Sequence, residues 1–220
     1  MGFLNTIKNS LLDIVFPENC LACGISGDYL CQACLLDSPP ALRPTLAWVY
    51  PLYDYRHPSI KKSIFFLKYK GRHKIVDTFS KAMYGRMLEE LSDLSIMENF
   101  SAPLLIPIPL APKRFKERGF NQAELLCRKL LENDQGQNLE LLTGVLTKPK
   151  DTLHQASIKD RGERLRNLSG SFTIKDAEKI AGRNIILIDD VVTTGATLSE
   201  ARKILKQAGA RKVIAFTIAH

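Results

Sequence analysis

No run of apolar residues in these 220 residues approaches the roughly 20 that a membrane span requires. Internal repeats and low-complexity tracts are missing as well, so the organisation has to be read from local motifs. The first segment, MGFLNTIKNSLLDIVFP, lacks the basic start and small-residue cleavage site of a secretory leader. It spaces Phe3, Leu4, Ile7, Leu11, Leu12 and Val15 as a helix does, and reads as a short packed helix stopped by Pro17. Cysteines are few: there are five, four of them in two tight pairs. That usage suits an intracellular metal site better than a disulfide framework, and a cytoplasmic location is expected.

What is present has the balance of a soluble globular protein, with 45% apolar and 25% charged residues. The length suffices for one domain of ordinary size plus a small satellite unit. A net charge of +8 favours anionic partners such as nucleic acid, phosphate ligands or acidic proteins, without choosing among them. The expected division is residues 1–45 for the helix and cysteine unit and 46–220 for an α/β domain, with a hood over about 46–100 and a core over about 101–220. Pro39, Pro40 and Pro44 mark the connection.

Trp48 to Tyr55 reads as an aromatic-rich strand. Ser59 to Lys70 carries Ile60, Ile64 and Leu67 on one helical face and stops before Gly71, and another helix follows to about Leu94. From Leu104 onward apolar strands alternate with helices, the pattern of a mainly parallel sheet with crossover helices. The strands are predicted at Leu104–Pro107, Leu141–Leu146, Ile185–Ile188 and Val213–Ile218, the helices at Asn121–Leu131 and Leu198–Gln207. Lys148 to Ser169 is long, polar and without apolar period, which marks a functional loop or lid.

The strongest signal is Ile185-Ile186-Leu187-Ile188-Asp189-Asp190-Val191-Val192-Thr193-Thr194-Gly195-Ala196-Thr197. Four apolar residues suit a strand buried on both faces, and its carboxyl end is where open α/β sheets hold ligands. Gly195 lets the backbone turn closely, the hydroxyls of Thr193, Thr194 and Thr197 can donate, and the amides of a helix start favour phosphate. The string is chemically a phosphate cradle beside two sugar-binding carboxylates. The plainer alternative is a solvated strand-to-helix turn.

Cys20 and Cys23 make one CxxC, and Cys31 and Cys34 make another after seven intervening residues. Two such hooks supply four thiolates to one tetrahedral Zn2+, with Gly24 in the tight turn after the first; a closed shell leaves no place for water, so the metal role is structural. Cys127 reads as a small core residue. Between Arg56 and Lys74 no acid occurs, while Lys68, Lys70 and Arg72 lie near Phe65, Phe66 and Tyr69. Cations can follow a phosphate backbone and aromatics stack on unpaired bases, so this is a candidate single-stranded DNA surface. An ordinary solvated helix face with Phe65 or Phe66 in the core is the competing reading.

The thirteen-residue string resembles the binding signature for 5-phosphoribosyl-1-pyrophosphate (PRPP) of type I phosphoribosyltransferases. The resemblance implies that Asp189 and Asp190 are the catalytic-site acids holding the ribose hydroxyls, that Thr193 to Thr197 hold the 5′-phosphate, and that Mg2+ accompanies the pyrophosphate. It also implies that Pro107, Pro109, Lys113, Arg114 and Arg118 form the pyrophosphate loop, and that the segment with Gln155, Arg161, Arg164 and Asn167 closes as a lid. An ordinary exposed loop remains the alternative for that segment. In 6-oxopurine phosphoribosyltransferases the position matching Thr193 is an Asp acting on the purine; a threonine cannot be that base, which argues against hypoxanthine or guanine salvage. The chain stops at His220 just after the last predicted strand, so a hood is expected from the N-terminal half.

Together, IPIPL with RFKERGFNQ, HQASIKDRGERLRN and IDDVVTTGATL, with the cysteine pairs and LKYKG, resemble the ComF family of ComFC-like competence proteins. The family implies a PRPP-binding phosphoribosyltransferase-like protein assisting single-stranded DNA uptake in natural transformation, with a competence helicase as a possible partner. An active phosphoribosyltransferase in salvage or secondary metabolism and a non-enzymatic PRPP sensor stay open beside it.

Overall fold

The computed structural model describes residues 19–42, 46–69, 74–135, 138–149 and 170–220. The helix expected before Pro17 lies outside them, as do Lys70, Arg72, His154, Gln155, Arg161, Arg164 and Asn167. In chain order the helices are α1 (Gln32–Leu36), α2 (Pro58–Tyr69), α3 (Lys74–Glu98), α4 (Pro112–Arg118), α5 (Gln122–Asp134) and α6 (Ala196–Gln207). The strands are β1 (Val49–Tyr53), β2 (Leu104–Pro107), β3 (Glu140–Leu141), β4 (Leu146–Thr147), β5 (Thr173–Ile174), β6 (Asn184–Val191) and β7 (Lys212–Ala219).

Five strands form one parallel sheet in the order β1-β7-β6-β2-β3, and β4 and β5 make a separate antiparallel pair. β6 and β7 are continuous apolar runs because both of their faces are covered. Alternation decides which side each residue faces. Ile186, Ile188, Ile214, Phe216 and Ile218 join the core under α2, α3 and α5, together with Leu30 and Leu35 of the cysteine unit. Ile185, Leu187, Val213 and Ala215 face the other way, onto Leu198, Ala201 and Leu205 of α6.

One expectation is corrected: the strand over Leu141–Leu146 is two short strands in different sheets, broken where Gly144 takes φ +78°. The strand expected at Trp48 to Tyr55 is β1, which joins the main sheet with Val49 to Tyr53 in register with Ala215 to Ala219. α2 and α3 then cover the face of the sheet that β1 extends.

β2 stops at Pro107, as a proline without an amide donor requires. The Ile108 amide still donates to the Ile188 carbonyl, and the Asn121 side chain donates to the Ile108 carbonyl. The same Asn121 caps α5 by accepting from the Ala123 amide. This locks the β2–α4 loop against the carboxyl end of β6.

Candidate functional site

Asp189 and Asp190 end the central strand β6, and Gly195 caps the start of α6 at φ +73°. Between them Val192 donates its amide to the Ala219 carbonyl and packs in the core, so the loop is anchored at its middle. Thr194 Oγ1 accepts from the Ala196 amide at 3.4 Å. A side chain at Gly195 is excluded twice: the positive φ is strained for any L-residue, and a Cβ there comes within 2.9 Å of Leu46 Cδ1.

A cleft of about 490 Å3 opens beside these residues. Asp189, Asp190, Val191, Thr193 and Thr197 form one wall, and Pro109, Lys113, Arg114 and Arg118 another. Helix α2 closes the third side with Phe65, Lys68 and Tyr69. The loop and the basic segment predicted from the sequence are therefore in one place, whereas Pro107 lines an adjoining recess of about 440 Å3 with Thr143 and Thr147, which shares Pro109 and Lys148 with the cleft.

Lys68, expected from the sequence on a DNA surface, lines the cleft. Its ammonium turns into the cleft and lies 2.7 Å from Asp190 Oδ1, with only 19% of the side chain exposed. Burial alone lowers the Lys68 pKa, but the adjacent Asp190 carboxylate outweighs it and carries the pKa upward. Gln122, the first residue of α5, donates Nε2 to Asp190 Oδ2 at 2.5 Å. Sequence reasoning misses its part in the site, although a signal exists. Gln122, Leu126 and Leu130 fall on one face at helical spacing, and a glutamine on an otherwise apolar stripe calls for a buried polar partner.

At the mouth, Phe65 and Tyr69 are half exposed with ring centroids 5.1 Å apart, and the Arg118 guanidinium lies 5.2 Å from the Tyr69 ring centre. Asp189 is partly buried and accepts the Asp190 amide at 2.8 Å. Burial, and next the charge of Asp190, push its carboxyl up to about 7, against the opposing pull of the Asp190 amide, Lys68 and Lys148.

That shift has a sign for stability. A folded-state pKa above the unfolded value of about 3.9 means that the folded state binds the extra proton, so stability falls as pH rises from about 4 to about 7 and the full penalty remains above it. Asp189→Asn is therefore expected to raise Tm at pH 8, by about 2–4 °C for each kcal/mol of penalty relieved, and to gain little at pH 4. Melting curves at the two pH values check this; a lower Tm at pH 8 counts against it.

Upstream of the sheet, the two cysteine hooks meet. The four sulfurs of Cys20, Cys23, Cys31 and Cys34 lie within 4.8 Å of one another, with Cys23 and Cys31 3.7 Å apart. Zn–S bonds of about 2.3 Å in a tetrahedron place the sulfurs about 3.8 Å apart, so the cluster fits a zinc ion held by four thiolates. Burial pushes the Cys20 thiol up, but the amides of Cys23, Cys31 and Ala22 bring it down to about 6. Hydrogen bonding to Cys23 and Cys31 holds Cys34 up at about 12. Sulfurs this crowded resist ionising together, and a bound dication relieves that conflict.

Residues 118–220 match the Phosphoribosyl transferase domain family. The DNA utilization protein YhgH of Escherichia coli (strain K12) is 29% identical over 199 residues, covering 88% of this chain and 80% of that protein. The competence protein ComFC of Streptococcus pneumoniae (strain ATCC BAA-255 / R6) is 39% identical over 113 residues, 51% of this chain and 46% of that one. ComFC of Bacillus subtilis (strain 168) is 32% identical over 168 residues, 76% and 62% respectively. A solved hypoxanthine phosphoribosyltransferase from Trypanosoma cruzi, a mutant complexed with the product IMP, superimposes with a TM-score of 0.39 at 14% identity over 66% of this chain and 64% of that one.

Proposed function

From the premise that this chain belongs to the ComF-like proteins with a type I phosphoribosyltransferase domain, we propose that it binds PRPP in the β6–α6 cleft and serves in the handling of single-stranded DNA. The observation that carries the PRPP reading is the convergence of an acid pair, a helix start and three basic residues on one cleft. Carboxylates are the acceptors that ribose hydroxyls need, while the amides opening α6 and the side chains of Lys113, Arg114 and Arg118 suit phosphate and pyrophosphate oxygens. Mg2+ would join the pyrophosphate on its oxygen side, neutralising charge that the cations leave over.

The part in DNA handling rests on the relatives called competence and DNA utilization proteins. Half-exposed Phe65 and Tyr69 beside Arg118, with Lys61 and Lys62 exposed on the same helix, give unpaired bases a stacking surface and phosphates a cationic one. Zinc held by the four cysteines braces the unit packed beneath α2. A cytoplasmic site and contact with a competence helicase belong to the same reading. Turnover of PRPP with a panel of bases distinguishes an active transferase from a protein that only binds.

The deciding experiment is melting with Mg2+ and PRPP. At a ligand concentration of about 100 Kd, binding to the native state alone adds roughly 2.7 kcal/mol, a rise of several degrees. Gly195→Val is expected to abolish the rise and to lower the ligand-free Tm as well, because strained backbone costs about 1–3 kcal/mol and Leu46 must give way. A wild-type protein whose Tm ignores PRPP refutes the central reading, and single-strand binding that does not weaken as salt rises refutes the DNA surface.

A further inference from the structure

The turn that opens α6 is weakly held by its own residues. Gly195, the N-cap, has no side chain to accept an amide, and the bond that Thr194 Oγ1 accepts from the Ala196 amide is long, at 3.4 Å. Glycine is also the residue freest to leave such a conformation. Val192 anchors the loop ahead of the turn, which leaves Gly195 itself to be held from outside.

That support comes from the other end of the chain. Leu46 stands over Gly195, so close that a Cβ there would come within 2.9 Å of Leu46 Cδ1. Trp48 lies against Arg202, about two turns along α6, with the guanidinium 4.6 Å from its ring centre. The segment carrying both side chains is pinned in turn. The Leu46 carbonyl accepts the Val49 amide at 2.8 Å, and the Trp48 carbonyl accepts the Ala215 amide of β7 at 2.9 Å. Leu46 also packs into the cluster that contains Val192, Leu198 and Ala201.

We propose that Leu46 is a positioning residue for sugar phosphates: by packing on Gly195 it holds the opening of α6 in the shape that receives the 5′-phosphate. This rests on the sugar-phosphate reading above and adds to it the part that fixes the loop. The two residues are complementary, because the missing Cβ makes room for the leucine and the leucine restricts the freedom that the missing Cβ creates. A ligand then meets a turn already ordered. Ordering one residue's backbone on binding instead would weaken affinity by about fivefold to thirtyfold.

Calorimetry with two probes reads the role. Ribose 5-phosphate carries the phosphate assigned to the α6 loop, whereas pyrophosphate with Mg2+ is the anion assigned to Lys113, Arg114 and Arg118 on the other wall. Folded Leu46→Ala is expected to bind ribose 5-phosphate about fivefold to thirtyfold more weakly, and pyrophosphate within about twofold of the wild type. Leu46→Met nearly conserves the volume and should bring ribose 5-phosphate back to within about threefold. A general loss of stability does not produce this split, since in folded protein it weakens both probes or neither. If Leu46→Ala does not fold, Leu46→Val removes less and carries the same split at smaller size. A double-mutant cycle tests the contact itself: Leu46 hinders Gly195→Ala, so the Tm loss of Gly195→Ala with Leu46→Ala should be smaller than the two single losses added. Unchanged ribose 5-phosphate affinity in the folded variant, equal losses for both probes, or additive Tm losses overturn the clamp while leaving sugar-phosphate binding intact. A wild-type protein that binds neither ribose 5-phosphate nor PRPP overturns the functional reading itself.

Discussion

Protein purified without chelator is expected to carry about one zinc per chain, and Cys23→Ser or exhaustive chelation to release it and unfold the segment over residues 19–42. The expectation follows from size as much as from ligands. The described part of the cysteine unit has one helix, of five residues, one bridge of its own between Asn19 and Ser26, and a second from Pro40 to Tyr53 of β1. Segments that small rarely hold a core alone. A structural zinc contributes on the order of 10–16 kcal/mol in isolated zinc-binding peptides, and that binding energy is folding energy. Leu30 and Leu35 pack into the core beneath α2, so loss of the unit should also lower the Tm of the whole chain. Metal analysis, limited proteolysis within residues 19–42 and melting give three readouts. Full-length, protease-resistant protein with no metal and an unchanged Tm rules out the zinc role.

Much of the molecule was legible where one local signal sufficed. The strand ending in Asp189 and Asp190 with the turn into α6, the helix expected at Asn121–Leu131 and found at Gln122–Asp134, and the two CxxC hooks each declare themselves through periodicity, turn chemistry or ligand spacing. Failure came where non-local pairing decides. The Leu141–Leu146 run is apolar enough for a strand, but Thr143 and Gly144 turn the chain so that its two ends serve different sheets. β1 reads as a strand in isolation, yet nothing local tells that its neighbour is β7, more than 150 residues on.

Lys68 shows the same limit within the site. Ile60, Ile64 and Leu67 correctly mark the buried face of α2, and Lys68 sits next to that face where a lysine ordinarily meets water. Its charge is buried because β6 brings Asp190 beneath it, a contact no window of sequence contains. The acids are found by motif, but their inequality depends on which partners the fold presents to each.

Lys68→Met should therefore be costly in a way its helix position does not suggest. It removes the ammonium at 2.7 Å from a carboxylate that is 6% exposed by side chain, leaving a buried charge with one neutral donor, Gln122. Breaking a buried pair from one side costs about 3–5 kcal/mol, because the remaining charge is neither solvated nor compensated. At about 2–4 °C per kcal/mol, the Tm should fall by roughly 10 °C. The Lys68 pKa is raised in the fold, so the pair's contribution is present throughout neutral pH and fades only above the ordinary lysine value of about 10.4. Adding Asp190→Asn to Lys68→Met removes the stranded charge and should recover most of the loss, although each substitution alone is destabilising. That non-additivity is the signature of direct coupling, and a double-mutant cycle measured by melting or denaturant isolates it. Additive losses, or a Lys68→Met protein that melts with the wild type, would show that α2 is held to β6 by its apolar face alone.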